Sequence, residues 1–250
     1  MLKNPLKQFR LEVSKRAMAY QKNSKLQQSR HDFHNELLKA KYTYNFFWLG
    51  VPIIQAPQDL QAMQEIIWEI KPDLIIETGI AWGGSIIFSA SMLAILEACG
   101  DIKRGRVIGI DIDIRSHNKK AILDHPLSNK ITMFEGSSID EEIIRKVTKI
   151  AKNKKRVLVC LDSKHTHSHV LSELRAYASL VSIGSYCIVE DTGIEDLPIG
   201  PFARPWGRGD NPKTAVREFL KENNNFKIDK IIESKIILTS SPDGYLRRIK

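Results

Sequence analysis

Three carboxylates stand where two β-branched runs end: Asp162 closes Arg156–Leu161, and Glu190 with Asp191 closes the run beginning at Tyr186. Acids at the tips of neighbouring parallel strands converge on one point, where like charges raise each other's pKa unless a cation neutralises them. An all-oxygen donor set favours magnesium, manganese or calcium over zinc. His165 follows Asp162 by three residues, so it could overhang such an ion and take a proton from an acceptor hydroxyl. His167 and His169 read as residues on the surface of the helix that follows, with Ser163 or Thr166 as its cap.

The first run of this kind, Asp73–Thr78, leads into Glu77-Thr78-Gly79-Ile80-Ala81-Trp82-Gly83-Gly84-Ser85. Glycines there let the backbone turn tightly and approach a ligand, and the next helix offers free N–H groups. The loop lacks the full dinucleotide fingerprint and the Gly-Lys-Ser/Thr ending of a phosphate loop. Glu77 would repel a phosphate and suits a ligand carrying an amino group. Arg106–Ile112 contains Asp111, placed to hold ribose hydroxyls, and Ile131–Glu135 leads to Ser137 and Ser138, small polar residues suited to the border of an adenine.

These tips need a sheet to carry them. Short β-branched runs alternate with helical periodicity from residue 73 onward, which predicts parallel βα units. Helices are expected over Gln58–Ile70, Gly84–Ala98, Ile139–Ala151, His167–Val181 and Asn211–Glu222. Phe226–Ile232, Lys235–Thr239 and Tyr245–Ile249 read as strands with no helix between them, and Ser241–Gly244 as a turn. The fold class is α/β: a mostly parallel sheet with helices on both faces, closed by a C-terminal antiparallel hairpin. Ligands of such sheets bind beyond the carboxyl ends of the strands.

The chain has 250 residues, 42% hydrophobic and 27% charged, a composition that argues against disordered and fibrous classes. No apolar run reaches the roughly 18 residues that cross a bilayer, and the basic start never develops the core of a secretion signal. Cys99, Cys160 and Cys187 read as buried thiols in a reducing compartment, so the expectation is a cytoplasmic protein. Net charge is +9, and residues 1–50 hold ten basic against three acidic residues, so +7 sits there and +2 in the other 200. Residues 1–50 are read as a basic, helical arm ending in the aromatic knot Tyr42, Tyr44, Phe46, Phe47 and Trp48, and 51–250 as the catalytic domain. The arm reads first as a solvated helical face. It could also lie on an anionic membrane surface, peripheral to the inner face, or hold a second subunit in a homo-oligomer. No nucleic acid is expected, since zinc ligands and interleaved aromatics are missing from the arm.

Five separated motifs occur in order: the Glu77–Ser85 loop, Gly109–Asp113, Leu161–His167, Tyr186–Thr192 and Leu238–Arg248. Together they resemble the cephalosporin hydroxylase family, which includes rhamnosyl O-methyltransferases and is similar to class I S-adenosylmethionine methyltransferases. The resemblance covers roughly residues 40–250 and implies a Rossmann-like, seven-stranded fold. By further likeness to catechol O-methyltransferase, it implies that Gly79, Gly83 and Ser85 meet the cofactor with Glu77 supporting them, that Asp111 holds the ribose and that Ser138 lies beside the adenine. It also implies Mg2+ (or Mn2+) on Asp162, Glu190 and Asp191. His165 stands where the catechol enzyme has a lysine base, and Asp191 where it has an asparagine.

The activity so implied is S-adenosylmethionine- and metal-dependent O-methylation of a small-molecule or glycan acceptor: a sugar, glycolipid or polysaccharide precursor. Gly193–Asn211, with Pro198, Pro201, Arg204, Pro205, Trp206 and Arg208, is a lid or acceptor loop in this reading. Two rivals stand beside it. An iron- and 2-oxoglutarate-dependent hydroxylase needs two histidines and a carboxylate, and the only His-x-acid element is His34-Asn35-Glu36. A catalytically inactive cofactor-binding scaffold would have no need of the acidic trio.

Overall fold

A computed structural model describes residues 4–197 and 204–250; Lys3 of the arm and Pro198 and Pro201 of the expected lid lie outside the described residues. The chain opens with helices α1 (Pro5–Lys22) and α2 (Ser24–Lys39), then a 3-10 turn and the short antiparallel pair β1 (Phe46–Trp48) and β2 (Val51–Ile53). Helix α3 (Pro57–Ile70) leads into β3 (Leu74–Thr78), α4 (Gly84–Ala98), β4 (Arg106–Asp111), α5 (Ser116–Leu123), β5 (Ile131–Glu135) and α6 (Glu141–Ala151). There follow β6 (Val157–Leu161), α7 (His167–Tyr177), β7 (Tyr186–Val189), α8 (Pro212–Glu222), β8 (Phe226–Ile228), α9 (Lys230–Ile236) and β9 (Tyr245–Arg248).

Seven strands form one sheet in the order β5-β4-β3-β6-β7-β9-β8, parallel except where β9 pairs with β7 and β8. Period-two alternation divides each central strand between two cores. Leu74 and Ile76 of β3 face a cluster with α6, α7 and α8, while Ile75 faces α3 and α4. Both faces are therefore covered, which is why the strands read as continuous apolar runs. The aromatic knot is clamped on α4: Trp48 donates from Nε1 to Ser91 Oγ at 3.0 Å and lies edge-on to Phe88.

Three expectations fail here. Lys235–Thr239 is no strand. Asp229 caps a helix there by accepting from Ile231 N at 3.1 Å, and α9 packs against α3 and α1, so tertiary packing overrides β-branched propensity. Phe226–Ile232 is strand only to Ile228, so the expected antiparallel closure forms as the β8–β9 pair with α9 between its strands, and α5 appears where no helix was expected. Cys99, read as buried, is exposed because it caps the C-terminus of α4; Cys160 and Cys187 are buried.

Candidate active site at the strand ends

The loop after β3 is fixed from three sides. Gly79 has φ +88°, and a β-carbon on it would lie 2.0 Å from the carbonyl oxygen of Asp162. Ile80 and Ala81 donate their N–H groups to Asp111 Oδ2 at 2.7 and 3.2 Å, while Asn118 Nδ2 holds Ala81 O at 2.6 Å. Gly83, also at positive φ, caps α4. Glu77 is buried and accepts from Ser85 Oγ; burial pushes its carboxyl up to about 7. Asp111 thus serves the loop with Oδ2, while among the described residues its Oδ1 accepts only a 3.2 Å bond from Asp113 N.

One strand further along, Asp162 donates its N–H to Thr78 O at 2.9 Å, tying the tip of β6 to that of β3. Single donor atoms of Asp162, His165 and Asp191 lie within 4.8 Å of one another. His165 Nε2 stands 3.4 Å from Asp191 Oδ2, and its ring meets Trp206 edge-on at 5.1 Å between centroids. Asp191 reaches this position through a left-handed backbone (φ 56°), which aspartate tolerates better than most residues.

Glu190 falls outside that group of three, and its Oε2 turns to the segment before β9. It accepts from Ser241 Oγ and, at 3.5 Å, from Ser240 Oγ. The N–H and Oγ of Ser240 also donate to Asp59 Oδ2, each at 2.9 Å, and Tyr245 OH donates to Asp59 Oδ1 at 3.0 Å. Burial, then Asp59, pushes the Glu190 carboxyl up to about 8. Burial, followed by Glu190 and Asp191, raises Asp162 well above the usual carboxylate range. Such crowding disfavours three ionised acids on their own, and a hard divalent cation relieves it. The oxygen-rich donor set, with one imidazole at its edge, fits magnesium or manganese.

The family model for rhamnosyl O-methyltransferase/CmcI matches residues 40–249. The chain belongs to this family. Among curated relatives, a rhamnosyl O-methyltransferase of Mycobacterium bovis (strain BCG / Pasteur 1173P2) is 30% identical over 219 residues, covering 86% of this chain and 82% of the relative. A rhamnosyl O-methyltransferase of Mycobacterium leprae (strain TN) is 26% identical over 204 residues, covering 80% and 82%. Among solved structures, the chain is similar in fold to CmcI-N160 in its apo form (TM-score 0.57, 21% identity, 83% of this chain and 77% of that one). It is also similar to cmcI-D160 described with Mg and SAM (TM-score 0.54, 19% identity, 83% and 78%).

Several residues of this rhamnosyl O-methyltransferase/CmcI family member lie where the sequence alone does not put them. His169 is no surface residue: it is largely enclosed, with Nε2 3.0 Å from Ser138 Oγ. Thr166 occupies the N-cap position of α7 without capping it, and Asp210 instead accepts from His167 N at 2.7 Å. The expected lid is pinned at both ends, since Glu195 Oε2 accepts from Gly209 N and from Asn211 Nδ2 at 2.8 and 2.6 Å. Asp59, Ser240 and Ser241 carry no site signature in the sequence, although Ser240 and Ser241 lie inside the Leu238–Arg248 motif. His34 of α2 is half-buried near the trio: burial and then Arg30 lower its pKa, while Asp191 and Asp196 pull it back up.

Proposed function

We propose that this chain transfers the methyl group of S-adenosylmethionine to a hydroxyl of a sugar, glycolipid or polysaccharide precursor, with Mg2+ or Mn2+ as cofactor. The juxtaposition of the Asp162–His165–Asp191 cluster with the Gly79 loop carries the reading. The curated relatives, rhamnosyl O-methyltransferases, and a solved neighbour described with Mg and SAM support it.

In this reading Gly79, Gly83 and Ser85 line the methionine end of the cofactor, Glu77 holds the loop, Asp111 Oδ1 takes the ribose and Ser138 borders the adenine. Asp162, Asp191 and Glu190 hold the ion, which when bound lowers the cost of deprotonating the acceptor hydroxyl. His165, oriented by Asp191, accepts the hydroxyl proton. The oxygen attacks the methyl carbon in line, the S–CH3 bond breaks, and S-adenosylhomocysteine leaves. Orientation supplies much of the rate, because the sulfonium methyl is already electrophilic.

Residues 1–50 act as an arm to the 51–250 domain in this proposal. Leu6, Phe9 and Leu11 are exposed on α1 beside Lys7 and Arg10, a mixture suited to an anionic membrane surface or a second copy of the chain. In the same reading the protein works in the cytoplasm, peripheral at the inner membrane face. No helix among the described residues is long and apolar enough to cross a membrane.

The test is methyl transfer from labelled S-adenosylmethionine to a panel of rhamnosides, with and without chelator. Label appearing on a sugar hydroxyl only when divalent metal is present is the expected result. Equal transfer in chelator, or transfer to no sugar, would overturn the proposal.

A further inference from the structure

Behind the expected adenine edge lies a buried polar chain that the transfer reaction does not use. Glu173 of α7 is fully enclosed. Its Oε1 accepts from Ser163 Oγ at 2.7 Å and faces His169 Nε2 at 3.5 Å. The same Nε2 lies 3.0 Å from Ser138 Oγ, and Tyr177 OH pins Ser138 O at 2.5 Å. Glu173 Oε2 finds no hydrogen-bond partner among the described residues.

The polarity of this chain follows from its members. A carboxylate has only lone pairs to offer, so we assign the proton of the His169 ring to Nε2, the nitrogen beside it. In that tautomer the N–H is directed to Ser138 Oγ, which accepts. Its own hydrogen has no other acceptor among the described residues and is left for a ligand lone pair. A buried carboxylate with one unpaired oxygen is poor value for stability alone. Resting on the placement of Ser138 in the proposed function, we infer that Glu173 is a positioning residue which, through His169, sets Ser138 as a hydrogen-bond donor to a ring nitrogen of the cofactor's adenine.

Calorimetric titration of S-adenosylhomocysteine and its 1-, 3- and 7-deaza analogues into the wild type, Glu173→Gln and His169→Ala tests this. The wild type should bind one analogue about five- to tenfold more weakly than the parent, the value of one neutral hydrogen bond. Both variants should lose about that factor for the parent and discriminate against that analogue no longer, while Glu173→Gln melts no lower than the wild type. If Glu173→Gln fails to fold, His169→Ala supplies the same comparison. Wild-type discrimination surviving in the variants, or a wild type indifferent to all three analogues, would overturn the inference and leave the methyltransferase reading intact. Failure of the wild type to bind S-adenosylhomocysteine at all would sink both.

Discussion

Gly79 and Asp162 touch main chain to main chain: a β-carbon on the glycine would fall 2.0 Å from the aspartate's carbonyl oxygen. The loop proposed to hold the cofactor and the strand end proposed to hold the metal are thus one packed unit. Gly79→Ala must move one of them and must also adopt φ +88°. A loss of about 1–3 kcal/mol from the backbone strain alone is expected, together with weakened S-adenosylhomocysteine binding. Thermal melting and calorimetry measure both, and a wild-type melting curve would refute the packing argument.

Asp162→Asn keeps the shape of the side chain and removes its charge. Metal-dependent turnover should fall by about two orders of magnitude, as when one preorganised charge-stabilising group is lost. Binding of S-adenosylhomocysteine should change little, because the contact with the cofactor loop is made by the main chain of Asp162. Turnover equal to the wild type would take Asp162 out of the metal site.

Metal affinity should depend on pH. Burial and neighbouring acids push Glu190 up to about 8 and raise Asp162 too, so protons compete with the cation below that range. Manganese binding should strengthen from pH 6 to pH 8, by up to about tenfold per unit for each proton displaced, and then level off. Asp59→Asn removes the charge that ranks next to burial in raising Glu190, so it should move the rise to lower pH. A flat profile between pH 6 and 8 would contradict this.

Glu77 gives a stability prediction with a definite sign. Its folded pKa of about 7 lies above the ordinary 4.5, so the folded chain holds an extra proton between those values. This contribution is fully present below about pH 4.5 and is lost as pH rises through about 7. Glu77→Gln has no such loss, and without ligand it should be more stable than the wild type by up to about 3 kcal/mol at pH 8. Near pH 5 the difference should shrink to about 1 kcal/mol. Denaturant melts at the two pH values decide it, and a constant gap would refute the assignment.

His165→Ala removes the proposed base. Turnover should drop by about 10²–10⁴-fold, with S-adenosylhomocysteine binding little changed. Turnover within a few-fold of the wild type would leave His165 with a positioning role only.

Much of the parallel sheet can be read from sequence because its strands are buried on both faces. Gly84–Ala98 and Ile131–Glu135 are found with their predicted bounds. Around Asp229, local and global signals conflict. Ile231, Ile232 and Ile236 look β-like, but one capping carboxylate and contact with α3 make them helical. At the site, Asp162, His165 and Asp191 could be picked out because each follows or lies close to a strand tip. Asp59 could not, since it sits some 130 residues before Glu190 in the chain, and only the folded turn at Ser240 brings them together. His169 misled for a similar reason: its partner Ser138 lies on another loop, invisible to helical periodicity.

The last strand in the chain, β9, is not the last in the sheet, for it lies between β7 and β8. During synthesis β8 therefore emerges with no neighbour to pair with, and Glu190 emerges some fifty residues before Ser241. Until β9 slots inward, β7 and β8 each present an unpaired edge to solvent and Glu190 lacks its Ser241 partner. A chain broken off before β9 would therefore expose an open sheet, and edge-to-edge association is the fate such a fragment invites.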